Sequence, residues 1–199
     1  MNQPKIRIED YTYELPDERI AKYPLDQRDK SKLLIYNKGI ISQEQFSSIP
    51  SFIPEGSMMV FNNTKVVPAR LFFKKDTGAL IEIFCLEPVT PSDYSVSFAC
   101  ISECSWKTII GNVKKWKGGY LSFFVPEGAD SDVAGLNLKA ELIEKQDNSY
   151  IVRFFWEGGH PFSKVLELCG QVPIPPYLNR ETEAVDLERY QTLYAKFRG

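Results

Sequence analysis

The chain has 199 residues, 43% of them hydrophobic and 25% charged, a balance that supports a buried core and excludes a disordered tail. Its 24 Lys and Arg against 26 Asp and Glu leave a formal net charge of -2, so a uniformly basic nucleic-acid coat is excluded and any contact with a polyanion must be local. The length allows one large domain or two of about 100 residues.

The N-terminal run from Met1 to Pro16 carries charge where a secretory signal needs an apolar stretch, and no window approaches the ~18 apolar residues of a membrane span. A cytoplasmic protein that meets no membrane is expected. Pro16-Asp17-Glu18 opens a short helix over Leu15 to Ala21, since proline and acids suit a helix start, and Tyr23-Pro24 closes it. A polar loop with Asp26, Arg28, Asp29 and Ser31 follows. Lys32 to Tyr36 reads as a strand, Asn37-Lys38-Gly39 as a tight turn and Ile40 to Ser42 as the returning strand of a hairpin. Phe46, Ile49, Phe52 and Ile53 are spaced for a brief helix or turn. Ser57 to Phe61 is apolar without alternation and predicts a strand buried on both faces.

The character then changes to short extended runs separated by turns: Leu80 to Leu86, Tyr94 to Ile101, Trp106 to Ile110, Tyr120 to Val125, Leu136 to Ile143 and Tyr150 to Trp156. Six antiparallel strands closing into a small barrel would leave no exposed edge. Helical spacing returns at Pro161 to Leu168, with Phe162, Val165, Leu166 and Cys169 on one face and Gly170 as terminator. The expected fold is therefore α/β: a domain begun by residues 1–70, interrupted by a β-barrel over 71–155 and resumed by 156–199.

Chemistry is concentrated in three stretches. Asp26-Gln27-Arg28-Asp29-Lys30-Ser31-Lys32 gathers carboxylates, a hydroxyl and cations that either grip an anion or form a solvated loop. Phe61-Asn62-Asn63-Thr64 through Arg70 puts amides and a hydroxyl at a strand end, where they bind a ligand or satisfy their own turn. Gly170 to Arg180 holds Pro173, Pro175 and Pro176, which stiffen an extended segment able to present Tyr177 and Arg180. Asp186, Arg189 and Tyr190 follow at helical spacing. Cys85, Cys100, Cys104 and Cys169 form no Cys-x-x-Cys pair and His160 is the single histidine, so no metal is expected and the thiols read as reduced core residues.

Read in order, Tyr13-Glu14-Leu15-Pro16 with Ile20-Ala21, Arg28-Asp29-Lys30-Ser31, Phe61-Asn62-Asn63-Thr64 with Pro68-Ala69-Arg70-Leu71, Pro175-Pro176-Tyr177, and Asp186 with Arg189 to Ala195 resemble the S-adenosylmethionine:tRNA ribosyltransferase-isomerases of queuosine biosynthesis. The resemblance implies a barrel-like α/β domain interrupted by a small β-barrel. It also implies chemistry without a metal, in which the ribosyl part of S-adenosyl-L-methionine moves to 7-aminomethyl-7-deazaguanine at the tRNA wobble position and isomerises, forming epoxyqueuosine. On that basis Asp29 and Glu82 are candidate proton acceptors and Tyr177 a third catalytic candidate. Arg28, Ser31, Asn62, Thr64, Arg70, Arg180, Arg189, Tyr190 and Gln191 become candidate contacts to the donor, the arginines alternatively to RNA phosphates and Tyr177 or Tyr190 to the splayed wobble base. The partner implied is the tRNA anticodon region, with a monomer favoured.

Two departures accompany the likeness. Where the family has an Arg-Pro-Ser-Lys-Arg-like stretch, this chain has Ile110-Gly111-Asn112-Val113-Lys114-Lys115, and Val89 to Ser105 is longer than the usual strand connection. The family also continues into a further α/β half, whereas this sequence stops at Phe197-Arg198-Gly199. The expectation is an N-terminal portion with little turnover by itself. The competing readings are a noncatalytic RNA-binding or protein-interaction module, and a related S-adenosylmethionine-using enzyme with another acceptor.

Overall fold

Lys38 and Gly39 both adopt positive φ, 47° and 91°, the backbone that a two-residue hairpin turn requires. The turn joins strand β1, Lys32–Asn37, to β2, Ile40–Gln45, with Asn37 opposite Ile40 and Leu34 opposite Gln43. The expected hairpin is thus present. A computed structural model describes residues 6–197. Before the hairpin, the short helix expected at Leu15 to Ala21 is a single 3-10 turn, Asp17–Arg19, with Pro16 at its N-cap. Arg28–Lys30 forms another such turn, and Phe46–Phe52 a longer one.

The strand expected at Ser57 to Phe61 does not form. These residues adopt neither helix nor strand, and Met58 and Val60 are 89% and 87% exposed. Apolar character favours burial but specifies no partner, and a strand exists only through its ladder.

Six strands close a barrel in the order β3-β4-β5-β8-β7-β6. They are β3, Arg70–Lys74; β4, Leu80–Thr90; β5, Glu103–Gly111; β6, Tyr120–Phe123; β7, Lys139–Lys145; and β8, Tyr150–Phe155. Neighbours pair antiparallel throughout, and β3 meets β6 through only Phe73 opposite Phe123 and Lys74 opposite Ser122. Alternation sends Leu71, Phe73, Ile81, Ile83, Trp106, Thr108 and Phe154 inward, where all are buried.

The mixed α/β class and the closed six-stranded barrel agree with the sequence, but the six strands are not all the expected ones. Tyr94 to Ile101 is not extended; Tyr94–Ala99 is helix α1. Asp93 caps it, accepting a hydrogen bond from the backbone N–H of Val96 at 3.0 Å. Tyr94 and Phe98, one helical turn apart, both pack on Trp106 with ring centroids 6.0 and 5.3 Å away. Helical rather than alternating spacing therefore joins the aromatic residues, while Val96 faces solvent. The sixth strand is instead β3, whose apolar run Leu71-Phe72-Phe73 conceals its alternation. Helix α2, Ser131–Gly135, precedes β7 and shortens the strand expected from Leu136.

Helix α3, Phe162–Cys169, buries the expected face of Phe162, Val165, Leu166 and Cys169. Phe162 lies within 5.6 Å of the ring centroids of Trp106, Phe154 and Trp156, so α3 continues the barrel core. A Cβ on Gly170 would collide with the Pro68 carbonyl, which allows only glycine where the chain turns to pair Gln171 with Arg70. A short 3-10 turn, Pro176–Leu178, and helix α4, Asp186–Arg189, follow.

The chain comprises two compact units. One is Met1–Phe61 with Pro175–Glu181; the other is Asn62–Ile174 with Thr182–Gly199 and contains the barrel.

Candidate functional site

In the barrel-containing unit, Asn62-Asn63-Thr64 folds as a polar turn. Asn62 Oδ1 accepts from the backbone N–H of Thr64 at 3.0 Å and from its hydroxyl at 2.7 Å. The carbonyl of Asn63 accepts from the N–H groups of Lys196 and Phe197, and the Lys65 N–H donates to the Phe197 carbonyl at 2.8 Å. Gln191 then clamps the next residue: its Oε1 accepts from the Val66 N–H at 2.7 Å and its Nε2 donates to the Val66 carbonyl at 3.1 Å. One side-chain amide thus reproduces a strand partner for Val66.

Beside this clamp lies a pocket of about 180 Å³ lined by Lys65 to Pro68, Phe98, Ser163, Glu167 and Gln191. It offers a cation, a carboxylate, a hydroxyl and a ring, enough to bind a small polar group with an apolar side. Ser163 and Glu167 are four residues apart on the face of α3 opposite its core residues. Their spacing was visible in the sequence, but the helix reads there chiefly as core. Phe98 reaches the pocket only because α1 is helical.

On the barrel, the structure joins two sequence candidates directly. Arg70 Nε donates to Glu82 Oε1 at 2.6 Å and Nη2 to Oε2 at 3.1 Å, a two-pronged pair, while the guanidinium lies 5.2 Å from the Phe72 ring centroid. Gly111 sits opposite Glu82 and a Cβ there would come within 3.2 Å of the Glu82 Cβ. Arg189 ends α4 and Tyr190 caps it, both half-buried. Asp186 begins the same helix with 1% exposure and accepts from the Glu183 N–H at 2.8 Å.

The other unit holds Arg28, Asp29, Ser31, Tyr177 and Arg180. Arg28 and Asp29 lie in the 3-10 turn before β1, and the Ser31 carbonyl accepts from Phe46 N–H at 2.8 Å. Arg180 stacks over Tyr23 at 4.5 Å and donates from Nε to the Lys22 carbonyl at 2.9 Å, fastening the Pro175–Glu181 segment to Lys22 and Tyr23 of the same unit. Tyr177 is exposed.

The three buried thiols, Cys85, Cys104 and Cys169, offer no nucleophile. Burial pushes Cys104 up to about 12, and burial raises Cys169 to about 12. Cys85 is raised further by burial and by Cys104. Among the described residues no group of three or more His, Cys, Asp or Glu side chains could hold a metal ion, and no helix is long and apolar enough to cross a membrane.

A family profile described as "Queuosine biosynthesis protein" matches residues 8–199. The chain belongs to the queuosine biosynthesis protein family. Its relatives include the S-adenosylmethionine:tRNA ribosyltransferase-isomerase of Trichlorobacter lovleyi, 37% identical over 194 residues, which are 96% of this chain and 50% of the relative. The enzyme of the same name from Aquifex aeolicus is 35% identical over 98% of this chain and 51% of its own, and that of Flavobacterium psychrophilum 34% over 98% and 52%. This member of the queuosine biosynthesis protein family therefore spans about half the length of those relatives. Its residues also include both the Asn62 to Gln191 constellation and the Arg28 to Ser31 turn.

Proposed function

We propose that the protein carrying this sequence is a tRNA-modifying transferase-isomerase that uses S-adenosyl-L-methionine as ribosyl donor, acts on 7-aminomethyl-7-deazaguanine at the wobble position and yields epoxyqueuosine. The observation that carries this reading is the alignment of nearly the entire chain with relatives named S-adenosylmethionine:tRNA ribosyltransferase-isomerase, while the acceptor base and product follow from the resemblance of its motifs. The sulfonium of the donor supplies leaving-group activation. The protein's part is to hold the acceptor amine near the ribose and remove a proton.

We favour Asp29 over Glu82 as proton acceptor. Glu82 is held by Arg70, so its use as a base requires that pair to open. Asp29 is exposed and has no ion pair among the described residues, which supports its choice as proton acceptor. Exposed Tyr177 suits stacking on a splayed base. The pocket beside Gln191 is lined by Lys65 and by Glu167, whose carboxylate also pairs with Lys164 at 3.6 Å, charges opposite in sign to those of a zwitterionic amino-acid moiety. The barrel is read as an insertion in an α/β domain, with RNA as partner and a cytoplasmic setting.

Precursor-modified tRNA incubated with S-adenosyl-L-methionine and the complete gene product gives the mass of the ribosyl adduct; an unchanged mass would falsify the activity. Asp29→Asn lowers kcat at least about a hundredfold, the usual worth of a general base, whereas Glu82→Gln chiefly lowers stability. Equal kcat for Asp29→Asn and the unaltered protein removes Asp29 from that role. RNA binding without turnover is the second reading, favoured by the exposed Lys114 and Lys115 of the Gly111 to Lys115 stretch; turnover by the complete gene product rejects it.

A further inference from the structure

Two turns at one end of the barrel bring lysines together. The β3–β4 turn starts at Lys75, whose N–H donates to the Ala79 carbonyl at 3.0 Å, and the β5–β6 connection contains a 3-10 turn, Val113–Lys115. Lys75 Nζ donates to the Lys115 carbonyl at 3.4 Å, which ties the two turns to each other. Asn112, in the left-handed region with φ 57°, turns the chain out of β5, and buried Trp116 anchors the connection by donating from Nε1 to the Gly119 carbonyl at 3.1 Å. Lys114, Lys115 and Lys117 are left exposed on this anchored loop.

The ladder extends the cluster. Lys74 on β3 is opposite Ser122 on β6, and Ser122 is opposite Lys139 on β7, so a row of outward positions carries a lysine on either side of a serine. Among the described residues none of these lysines forms an ion pair. Asp76 lies in the β3–β4 turn, while Glu141, the nearest outward acid on β7, is paired with Arg153 at 3.6 Å. Like charges held on one anchored surface repel one another, and a chain of net charge -2 has acids enough to intersperse. The ammonium of Lys74 lies 5.9 Å from the ring centroid of Phe124, and Tyr120 at the start of β6 is 60% exposed.

The geometry points to this end of the barrel as a docking surface for the phosphate backbone of RNA, centred on Lys75, Lys114 and Lys115 with Lys74 and Lys117 beside them. It rests on the reading of RNA as partner given above and adds the place of contact. Lysines are compact point charges suited to phosphate without reading sequence, and the exposed rings of Phe124 and Tyr120 provide faces for an unpaired base. A lipid headgroup would use the charges but not the rings.

Fluorescence anisotropy with an unmodified tRNA transcript, at about 50 mM and about 200 mM salt, tests the surface. The triple variant Lys75→Gln, Lys114→Gln, Lys115→Gln flattens the slope of log affinity against log salt by about 2–3, whereas Lys164→Gln on α3, which follows the opposite end of β8, shifts it by no more than one phosphate contact's worth. Matching urea midpoints confirm that the exposed substitutions leave the fold intact. A triple variant with the slope of the unaltered protein overturns the surface, as does equal lysine-dependent binding to phosphatidylserine vesicles without binding to tRNA. Turnover of precursor-modified tRNA separates the two claims. Turnover with an unchanged slope overturns this surface alone, and no turnover together with a flattened slope overturns only the enzymatic reading.

Discussion

Single atoms decide several features of this chain. Gly170 has an ordinary negative φ of -85°, so its need for glycine is steric: the Pro68 carbonyl occupies the position of a side chain. Gly170→Ala should cost about 1–3 kcal/mol, the usual range for overpacking, read from the shift in a urea unfolding midpoint. The cysteines predict a pH limit. Folded values of about 12 for Cys104 and Cys169 lie above the ordinary 9.0, so the unfolded chain releases these protons first as pH rises. The stability associated with the protonated thiols is complete below pH 9.0 and declines between there and about 12. At pH 8 a thiol reagent should modify partly exposed Cys100 and leave the other three until the protein unfolds. Rapid modification of all four in the native state would contradict the burial. The sequence identified these residues as core thiols from composition, but it could not identify Gln191 as a backbone clamp, because its partner Val66 is 125 residues away.

At the scale of elements, local signals were sufficient where the chain supplies its own partner. Lys38-Gly39 determines the hairpin, and the spacing of Phe162, Val165, Leu166 and Cys169 determines the buried face of α3. Alternation failed at Tyr94 to Ile101 because Asp93 and the Tyr94–Phe98 pair made a helix of it, although the cap was readable. It failed at Ser57 to Phe61 because hydrophobicity cannot name a neighbour. Asp93→Ala removes the α1 cap and should cost about 1 kcal/mol. Phe162→Ala leaves a void between Trp106, Phe154 and Trp156 and should cost about 3–5 kcal/mol. Thermal melts of the two variants distinguish these values, and equal melting temperatures would mean that α3 does not support the barrel core. The candidate site was legible as three motifs; the pocket walls on α3 and α1 were not, since they required knowledge of which helices meet the Lys65 to Pro68 segment.

Across the whole molecule, burial is unequally divided. No residue from 6 to 61 is buried, while the barrel strands and α3 hold most of the core. Tyr36, Ile40, Ile41, Met58 and Val60 are among the large apolar residues left exposed. Such a surface binds hydrophobic dyes and exchanges its amide hydrogens early. Hydrogen-exchange mass spectrometry should therefore show peptides from 6–61 deuterated well before those of β4, β5 and β8; equal protection would refute this division. Charge tells a similar story at this scale: a net value of -2 coexists with the lysine-rich end of the barrel, a contrast that composition could require but not locate.

The closure between β3 and β6 has a kinetic consequence. Only Phe73 with Phe123 and Lys74 with Ser122 pair across it, with one further backbone bond from Phe124 to Phe72, whereas β4 and β5 pair from Glu82 to Thr90. The cylinder therefore has a seam, and thermal fluctuations should unzip it there while the remaining ladders stay closed. Such breathing would turn a closed wall into a curled sheet for brief intervals and expose the Phe73 ring to water without global unfolding. The lysine-rich turns sit beside that seam, so a polyanion bridging Lys74 and Lys115 would act as a latch on the barrel's weakest line.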